Sequence, residues 1–276
     1  MLGWQIAAVG ALCLLLASGL TLLLRPKGRV GRVAVAAIGE AGVVLGLFAA
    51  WQLAGTLAHR SAAGAVGRGN RLLSIEAAMH IANEHHIQNL ITPHALFTQM
   101  CNAYYVYGHF NGLILFLAWV FFAHRRHYPS VRLTVILVTA ASFVLHLIAV
   151  APPRLLAGEG FVDTAVQYGQ SVYGPTTVEV ADQLSAFPSV HVAWAAIIAY
   201  WAWRVSPGRW GWVGIAHFVA TSFVVVATAN HYWLDGIAAV GLLVLALLLQ
   251  TYVPAMFRTS RSRAAPAPAA EEPALV

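Results

Sequence analysis

Two short motifs place ionisable side chains at the ends of long apolar runs. In "FPSVHVAW", Ser189 and His191 stand at the start of such a run, and in "ATANHYWLDG", His231 and Asp235 stand between two others. Ionisable groups inside or at the ends of membrane segments are costly to desolvate, so they are functional candidates. A histidine paired with a carboxylate predicts nucleophilic or acid–base chemistry here.

The spacing of His231 and Asp235 favours a histidine nucleophile. The two residues are four apart, so a helix wound from Asn230 onward would place both on one face. Asp235 would then accept a hydrogen bond from Nδ1–H of His231 and leave Nε2 as the nucleophile. His191 would be available to protonate the leaving oxygen.

The residues around "FPSVH" predict a phosphate-binding site. We expect Pro188 in the first helical turn, with the N–H groups of Val190 and His191 and the positive end of the helix dipole directed outward. Ser189 would add a hydroxyl donor. Arg154, in "APPRLL", would supply a planar guanidinium group that matches two phosphate oxygens.

The composition indicates that these motifs belong to an integral membrane protein. Of the 276 residues, 59% are hydrophobic and 9% are charged, and the mean hydropathy is +0.71, which lies far from the composition of water-soluble domains. The basic residues stand at the ends of apolar runs and form no patch with interleaved aromatics, so no nucleic-acid partner is expected. Cys13 and Cys101 lack the spacing of a disulfide framework or zinc site.

Seven apolar runs approach the roughly 20 residues that a membrane helix needs. They are Leu2 to Leu24, Val33 to Ala58, Asn111 to Ala123 (extending back towards Tyr104), Leu133 to Val150, Val190 to Trp203, Trp212 to Ala229, and Leu234 to Val253. An external N-terminus and a cytoplasmic C-terminus place most of the 16 basic residues in the cytoplasm, as the positive-inside rule requires. The three motifs then face the extracytoplasmic side.

These runs divide the chain into three parts. Residues 1–32 are an extra N-terminal transmembrane helix with a basic cytoplasmic loop, 33–253 are the catalytic transmembrane domain, and 254–276 are a Pro/Ala-rich cytoplasmic tail that we expect to be disordered. Lysine is scarce relative to arginine, which points to a GC-rich genome and a bacterial plasma membrane.

Two of the predicted outer segments are long enough to contain structure of their own. In the first, from Arg60 to Gln99, Ser74 is expected to cap an amphipathic interfacial helix that carries Ile75, Met79, Ala82 and Ile87 near one face. Its "HIANEHH" stretch could line the entrance to the site or contact a head group, and metal binding there is the weaker alternative. The second outer segment, Ala151 to Ala186, is expected to be a loop that folds over another part of the protein.

The order Arg, then Pro-Ser-x-His, then His-x-x-x-Asp resembles the type 2 phosphatidic acid phosphatase (PAP2) superfamily. Within it, "APPRLL", "PSVH" and "HYWLD" look most like the inositol phosphorylceramide synthases and their bacterial relatives. The resemblance implies a six-helix bundle that needs no metal or other cofactor and carries the phosphoryl group on a histidine. It implies that His231 is the nucleophile, Asp235 its partner and His191 the general acid, and that Ser189 and Arg154 bind phosphate.

The chain departs from the superfamily pattern at two cationic positions. The lysine of the first motif is absent, since His146 is followed by "LIAVAPPR", and Val224 and Val225 replace the Ser-Arg pair that precedes the nucleophile. Fewer fixed cations suit a phosphodiester, which carries one negative charge, better than a phosphomonoester, which carries up to two. Arg60 or Arg71 could replace the missing charge.

We therefore expect a membrane-embedded phosphotransferase that moves a phosphoinositol-like head group from a glycerophospholipid to a lipid or glycolipid alcohol. Tyr105 and His109 are expected to contact the substrate. One alternative is a lipid phosphatase acting on phosphatidic acid, lysolipid or polyprenyl phosphate, and another is a transporter with buried histidines. His146 and His217 are interpreted as packed or hydrogen-bonded core residues, and the sequence leaves the oligomeric state open.

Overall fold

The computed structural model describes residues 4–23, 28–58, 63–172 and 183–263, and these ranges contain helices and loops but no strand. The long helices are α1 (Trp4–Leu23), α2 (Gly28–Ala58), α5 (Ala95–Ala123), α6 (Tyr128–His146), α8 (Val190–Val205), α9 (Arg209–Ala227) and α10 (Trp233–Arg263). The shorter ones are α3 (Ala65–Ala78), α4 (Glu84–Ile91), α7 (Thr164–Gln167) and a 3₁₀ turn at Pro153–Leu155. The all-helical prediction is confirmed.

Several of these helices are long and apolar enough to cross a membrane, which indicates a multi-pass membrane protein. In the described residues the candidates are Val30–Ala50, Ala95–Ala123, Tyr128–His146, Arg209–Ala227 and Trp233–Tyr252. The apolar stretch of α1 is shorter, and the 16 residues of α8 extend about 24 Å, less than the hydrocarbon core of about 30 Å. Seven spans and their orientation stay predictions.

Helix α8 lies at the centre of the bundle, where it packs against α5, α6, α9 and α10. Val192 and Ile197 on α8 are buried with Val138 of α6 and Val225 of α9 in one apolar core. Lipid tails are as apolar as these side chains, so close packing rather than removal from water holds this core together. In the membrane, packing and interhelical hydrogen bonds also fix the helices relative to one another.

The N-terminal helices attach to this bundle through polar contacts. The Ser18 hydroxyl on α1 donates to the carbonyl of Val35 on α2 at 2.9 Å. Helix α2 reaches α6 through Glu40, whose carboxylate accepts from Arg132 at 2.5 Å and from Tyr128 at 2.9 Å. This contact lies near the start of α6, the opposite end of that helix from its last residue, His146.

The first outer segment forms two helices rather than the one predicted. Helix α3 begins well before Ser74, whose hydroxyl donates to the carbonyl of Asn70 at 2.9 Å inside the helix, so the predicted N-cap role of Ser74 is wrong. The helix ends at Ala78, and His80 just beyond it has a left-handed backbone with φ of 56°. A residue in that conformation cannot continue a right-handed helix, and α4 starts four residues later.

The buried side of α3 also differs from the prediction. Ile75 is exposed on α3 whereas Ile87 lies on α4, so the predicted apolar residues form no continuous face. Gly69 and Glu76 are instead buried. A Cβ atom at position 69 would lie 2.6 Å from the hydroxyl of Tyr232, so glycine allows α3 to approach the connection between α9 and α10.

The second outer segment covers the ends of α6 and α8. Backbone bonds join Val150 to Leu184 at 2.6 Å and Ala186 to Val150 at 3.2 Å, which close this segment at its base. Asp163 caps α7 by accepting from the N–H of Val166 at 3.1 Å. The described part of the segment folds back onto α4 and α5, because Val162 bonds to Gln88 and Thr164 bonds to Asn102. Its acidic residues 179 and 182 lie outside the described residues.

Candidate active site

His231 lies in the connection between α9 and α10 and contacts groups on both of its ring nitrogens. Its Nδ1 is 2.8 Å from the carbonyl oxygen of Ala186 and 3.2 Å from Oδ2 of Asp235, and its Nε2 is 3.2 Å from Nδ1 of His191. A carbonyl can only accept, so Nδ1 of His231 carries the proton and Nε2 carries a lone pair. Nδ1–H of His191 donates to that lone pair.

Asp235 holds this arrangement from the first turn of α10. The helix begins at Trp233, so the backbone is not wound from Asn230, yet the contact between His231 and Asp235 forms. Asp235 is the third helical residue, and its Oδ2 also accepts from the backbone N–H of Tyr232 at 2.8 Å. A carboxylate at this position reaches back to the N-cap residue as in a capping box, which fixes the oxygen that meets His231.

Ser189 is the N-cap of α8, and its Oγ accepts from the N–H of Val192 at 3.3 Å. Pro188 precedes this cap, so its predicted place inside the first helical turn is wrong. Its carbonyl accepts a 2.8 Å bond from Nε2–H of His146, which anchors the segment before the helix. Among the described residues, no partner accepts from the N–H of Val190, as expected for the first residue of a helix that can bind an anion.

Arg154 is buried beside these two helix starts and is already paired. Its Nε donates to Oδ1 of Asn230 at 2.8 Å, and its Nη1 donates to Oδ2 of Asp163 at 2.6 Å. Its backbone N–H donates to the carbonyl of Ala229, which lies two residues after the end of α9 and has φ of 53°. The carboxylate of Asp163 neutralises the charge of Arg154, and sequence reasoning did not find this partner.

Two aromatic side chains of α5 cover His191. The rings of Tyr105 and His191 stack with centroids 4.5 Å apart and an interplanar angle of 18°. The centroid of the His109 ring lies 3.9 Å from that of His191, and Nδ1–H of His109 donates to the carbonyl of Tyr105 at 2.9 Å. The structure thus brings both predicted residues to the site, and their contact with a substrate stays a prediction.

The start of α10 has two further carboxyl partners that sequence reasoning did not find. Glu76 of α3 accepts from the N–H of Leu234 at 2.7 Å, and Glu84 of α4 accepts from the N–H of Trp233 at 3.3 Å. Both side chains are buried. The sequence marks these two glutamates only by the scarcity of acidic residues in the chain, which is a weak signal. Their role becomes visible only through the tertiary contact of α3 and α4 with the start of α10.

Among the described residues, the others that were singled out from the sequence form no side-chain hydrogen bond with His191 or His231. His217 contacts the hydroxyl of Tyr104 at 2.7 Å through Nδ1. Val224 and Val225 are buried at the end of α9, where the carbonyl of Val225 accepts from the N–H groups of residues 230 and 231. Arg71 is exposed and Arg60 lies outside the described residues. Within the described ranges, no three histidine, cysteine or carboxylate side chains could together hold a metal ion.

Comparison with known proteins adds one match. A family model described as the PAP2 superfamily matches residues 70–249, the range that includes all the site residues above and excludes α1 and α2. No curated protein and no solved structure matches the chain. The match is to the superfamily, and the narrower resemblance to inositol phosphorylceramide synthases stays a prediction.

Proposed function

The chain belongs to the PAP2 superfamily, and from this premise we propose that it transfers a phosphoinositol-like head group from a glycerophospholipid to a lipid or glycolipid alcohol. Superfamily members are generally phosphatases or phosphotransferases that act on phosphate esters. The proposal adds a phosphodiester donor, an alcohol acceptor and a reaction at the extracytoplasmic face of a bacterial plasma membrane.

The observation that carries the proposal is the direct contact between Nε2 of His231 and Nδ1 of His191 at 3.2 Å. A phosphate that replaces this hydrogen bond, with the two rings moved apart, would meet a lone pair on one side and a proton donor on the other. Asp235 stabilises the positive charge that His231 gains when Nε2 becomes bonded to phosphorus. This geometry suits a phosphohistidine intermediate.

In the proposed first step, Nε2 of His231 forms a bond to phosphorus and the ester bond to the diacylglycerol oxygen breaks. The imidazolium form of His191 gives its proton to that oxygen, so diacylglycerol leaves as a neutral alcohol. In the second step, the acceptor hydroxyl passes its proton to neutral His191 and attacks phosphorus. The N–P bond then breaks, and the head group stays on the phosphate throughout.

The charges around the site support a diester. Arg154 faces Asp163 at 2.6 Å, so this arginine offers less net positive charge than an unpaired one. Val224 and Val225 stand where the superfamily motif has Ser-Arg. A monoester dianion gains much of its binding energy from such cations, whereas a diester monoanion needs fewer of them.

A groove in the bundle supports a lipid substrate. It has a volume of about 370 Å³ and is lined mainly by apolar side chains of α8, α9 and α10, among them Val192, Phe218, Val225, Trp233, Ile237 and Val240. Val192 follows His191 and Trp233 lies two residues after His231 in the chain. A hydrocarbon chain is the occupant that such a lining suits.

The proposal is tested with purified protein and lipids labelled with ³²P in the phosphate. We expect label to move from phosphatidylinositol to an added lipid alcohol, with little inorganic phosphate released. A water-accepting phosphatase would instead release inorganic phosphate from phosphatidic acid, lysolipid or polyprenyl phosphate. Phosphate release from a monoester, with no exchange from any diester, would overturn the transferase proposal and leave the superfamily assignment intact.

A further inference from the structure

The first turn of α10 is a buried helix start whose N–H groups are capped from outside the helix. Because α10 begins at Trp233, the N–H groups of Trp233 and Leu234 have no acceptor within the helix, so they need acceptors from elsewhere. Glu84 and Glu76 supply them, at 3.3 Å and 2.7 Å. The following residue, Asp235, bonds to His231, so the same helical turn carries the capped N–H groups and the carboxylate that orients His231.

The two capping carboxyl groups also contact each other. The side chains of Glu76 and Glu84 are within hydrogen-bonding reach, and they are only 2% and 1% exposed. Oε2 of Glu76 is buried without an N–H or O–H donor among the described residues. Two ionised carboxylates can only accept hydrogen bonds, so a bond between them requires a proton on one of them.

We infer that Glu76 and Glu84 share one proton and together position the first turn of α10, so that Asp235 and His231 keep the geometry needed for phosphoryl transfer. These are positioning residues, and the inference rests on the proposed function for its effect on turnover. Neither carboxyl group contacts the reacting nitrogen of His231. The shared proton lets two acceptors stand side by side at one buried helix start.

Burial and the neighbouring negative charges explain why the proton shared by Glu76 and Glu84 stays bound. Burial raises the pKa of Glu76 from its ordinary value of 4.5 to about 9, with further contributions from the bond to Glu84 and from the charges of Glu84 and Asp235. The N–H of Leu234 acts in the opposite direction, but it is outweighed. Among the described residues, Tyr232 is a further titratable group that interacts with the charge of Glu76. At neutral pH the pair therefore holds one proton.

The first experiment compares Glu76→Gln with Glu76→Ala. A glutamine accepts from Leu234 and donates to Glu84 without titrating, so we expect its kcat at neutral pH to stay within about twofold of wild type, whereas the alanine variant loses roughly tenfold to a hundredfold in kcat with little change in KM. We expect the kcat of wild type to fall as pH rises through about 9, the pKa of Glu76, and we expect this alkaline decline to be absent from Glu76→Gln. Glu159→Gln, the same change at an exposed residue, is the control and keeps the wild-type profile.

Two results of this experiment would overturn the inference. One is an alkaline decline in Glu76→Gln that coincides with that of wild type. The other is a Glu76→Ala variant that keeps full kcat.

The second experiment needs no substrate and so separates this inference from the proposed function. A carboxyl group whose pKa is higher in the folded state binds its proton more tightly there, so its contribution to stability is lost as pH rises from about 4.5 to about 9. We expect the unfolding temperature of detergent-solubilised wild type to fall over that range more than that of Glu76→Gln. If it does so while wild type transfers no phosphoryl group, the proposed function fails and the shared proton stands. Equal pH dependence in both proteins would overturn the shared proton whatever the activity.

Discussion

The starts of α8 and α10 lie at the same site, but their first N–H groups differ in whether they have hydrogen-bond acceptors. At α8, Ser189 caps the helix with its own side chain, and the N–H of Val190 has no partner among the described residues. At α10, the first N–H groups are closed by the carboxylates of Glu76, Glu84 and Asp235. Under the proposed function, we expect the open helix start to bind the phosphate and the closed one to hold the nucleophile in place.

The comparison predicts that changes at the closed start reduce kcat. In Asp235→Asn, the amide oxygen can still accept from Tyr232 and from Nδ1–H of His231, but the negative charge that stabilises cationic His231 is lost. We expect kcat to fall roughly 10²–10⁴-fold with KM little changed. Steady-state kinetics with the labelled donor measures both constants. A rise in KM at constant kcat would assign Asp235 to substrate binding instead.

Changes at the open start should act mainly on binding. Ser189→Ala removes both the cap and a phosphate donor, and we expect KM to rise several-fold and stability to fall by about 1 kcal/mol. Ser189→Gly is the matched control, because glycine costs only a few tenths of a kcal/mol as an N-cap. An equal rise in KM in both variants would assign the effect to the lost hydroxyl. An unchanged KM in Ser189→Gly would show that the hydroxyl does not bind phosphate.

The smallest effect is expected far from both helix starts. Glu40 joins α2 to the start of α6 through Arg132 and Tyr128, and Arg132 remains partly exposed. We expect Glu40→Gln to lower stability by about 1 kcal/mol or less and to leave kcat and KM unchanged. Thermal unfolding and kinetics in the same detergent check both statements. A large loss of kcat would mean that this end of the bundle is coupled to the site.

The sequence predicted which site residues lie together better than it predicted the residues that support them. The contact of His231 with Asp235 was predicted from their spacing, and it forms because Asp235, the third residue of α10, reaches back to the residues that precede the helix. The start of α10 was left open between Asn230 and Leu234, and the helix begins at Trp233. Whether a helix begins at residue 230 or 233 depends on which acceptors reach its N–H groups, and two of these come from α3 and α4, more than 140 residues earlier in the chain.

The contact of Arg154 with Asp163 was not predicted either, because it depends on the path of a loop and not on a local sequence pattern. Asp163 lies nine residues later in a loop, and no periodic pattern predicts that a loop carboxylate turns back onto an arginine. The apolar residues of the first outer segment suggested one amphipathic helix, whereas burial of Glu76 and the left-handed backbone at His80 depend on how the segment packs against α10. Long-range contacts thus decided what local periodicity could not.

The most direct test of the account is to trap the covalent intermediate. Wild-type protein is mixed with phosphatidylinositol labelled in the phosphate, denatured rapidly at alkaline pH to preserve an N–P bond, and mapped by mass spectrometry. We predict a single phosphoinositol adduct on His231, absent from His231→Ala and still formed, more slowly, by Asp235→Asn. An adduct on another residue, or undiminished labelling of His231→Ala, would contradict the assignment of His231 as the nucleophile.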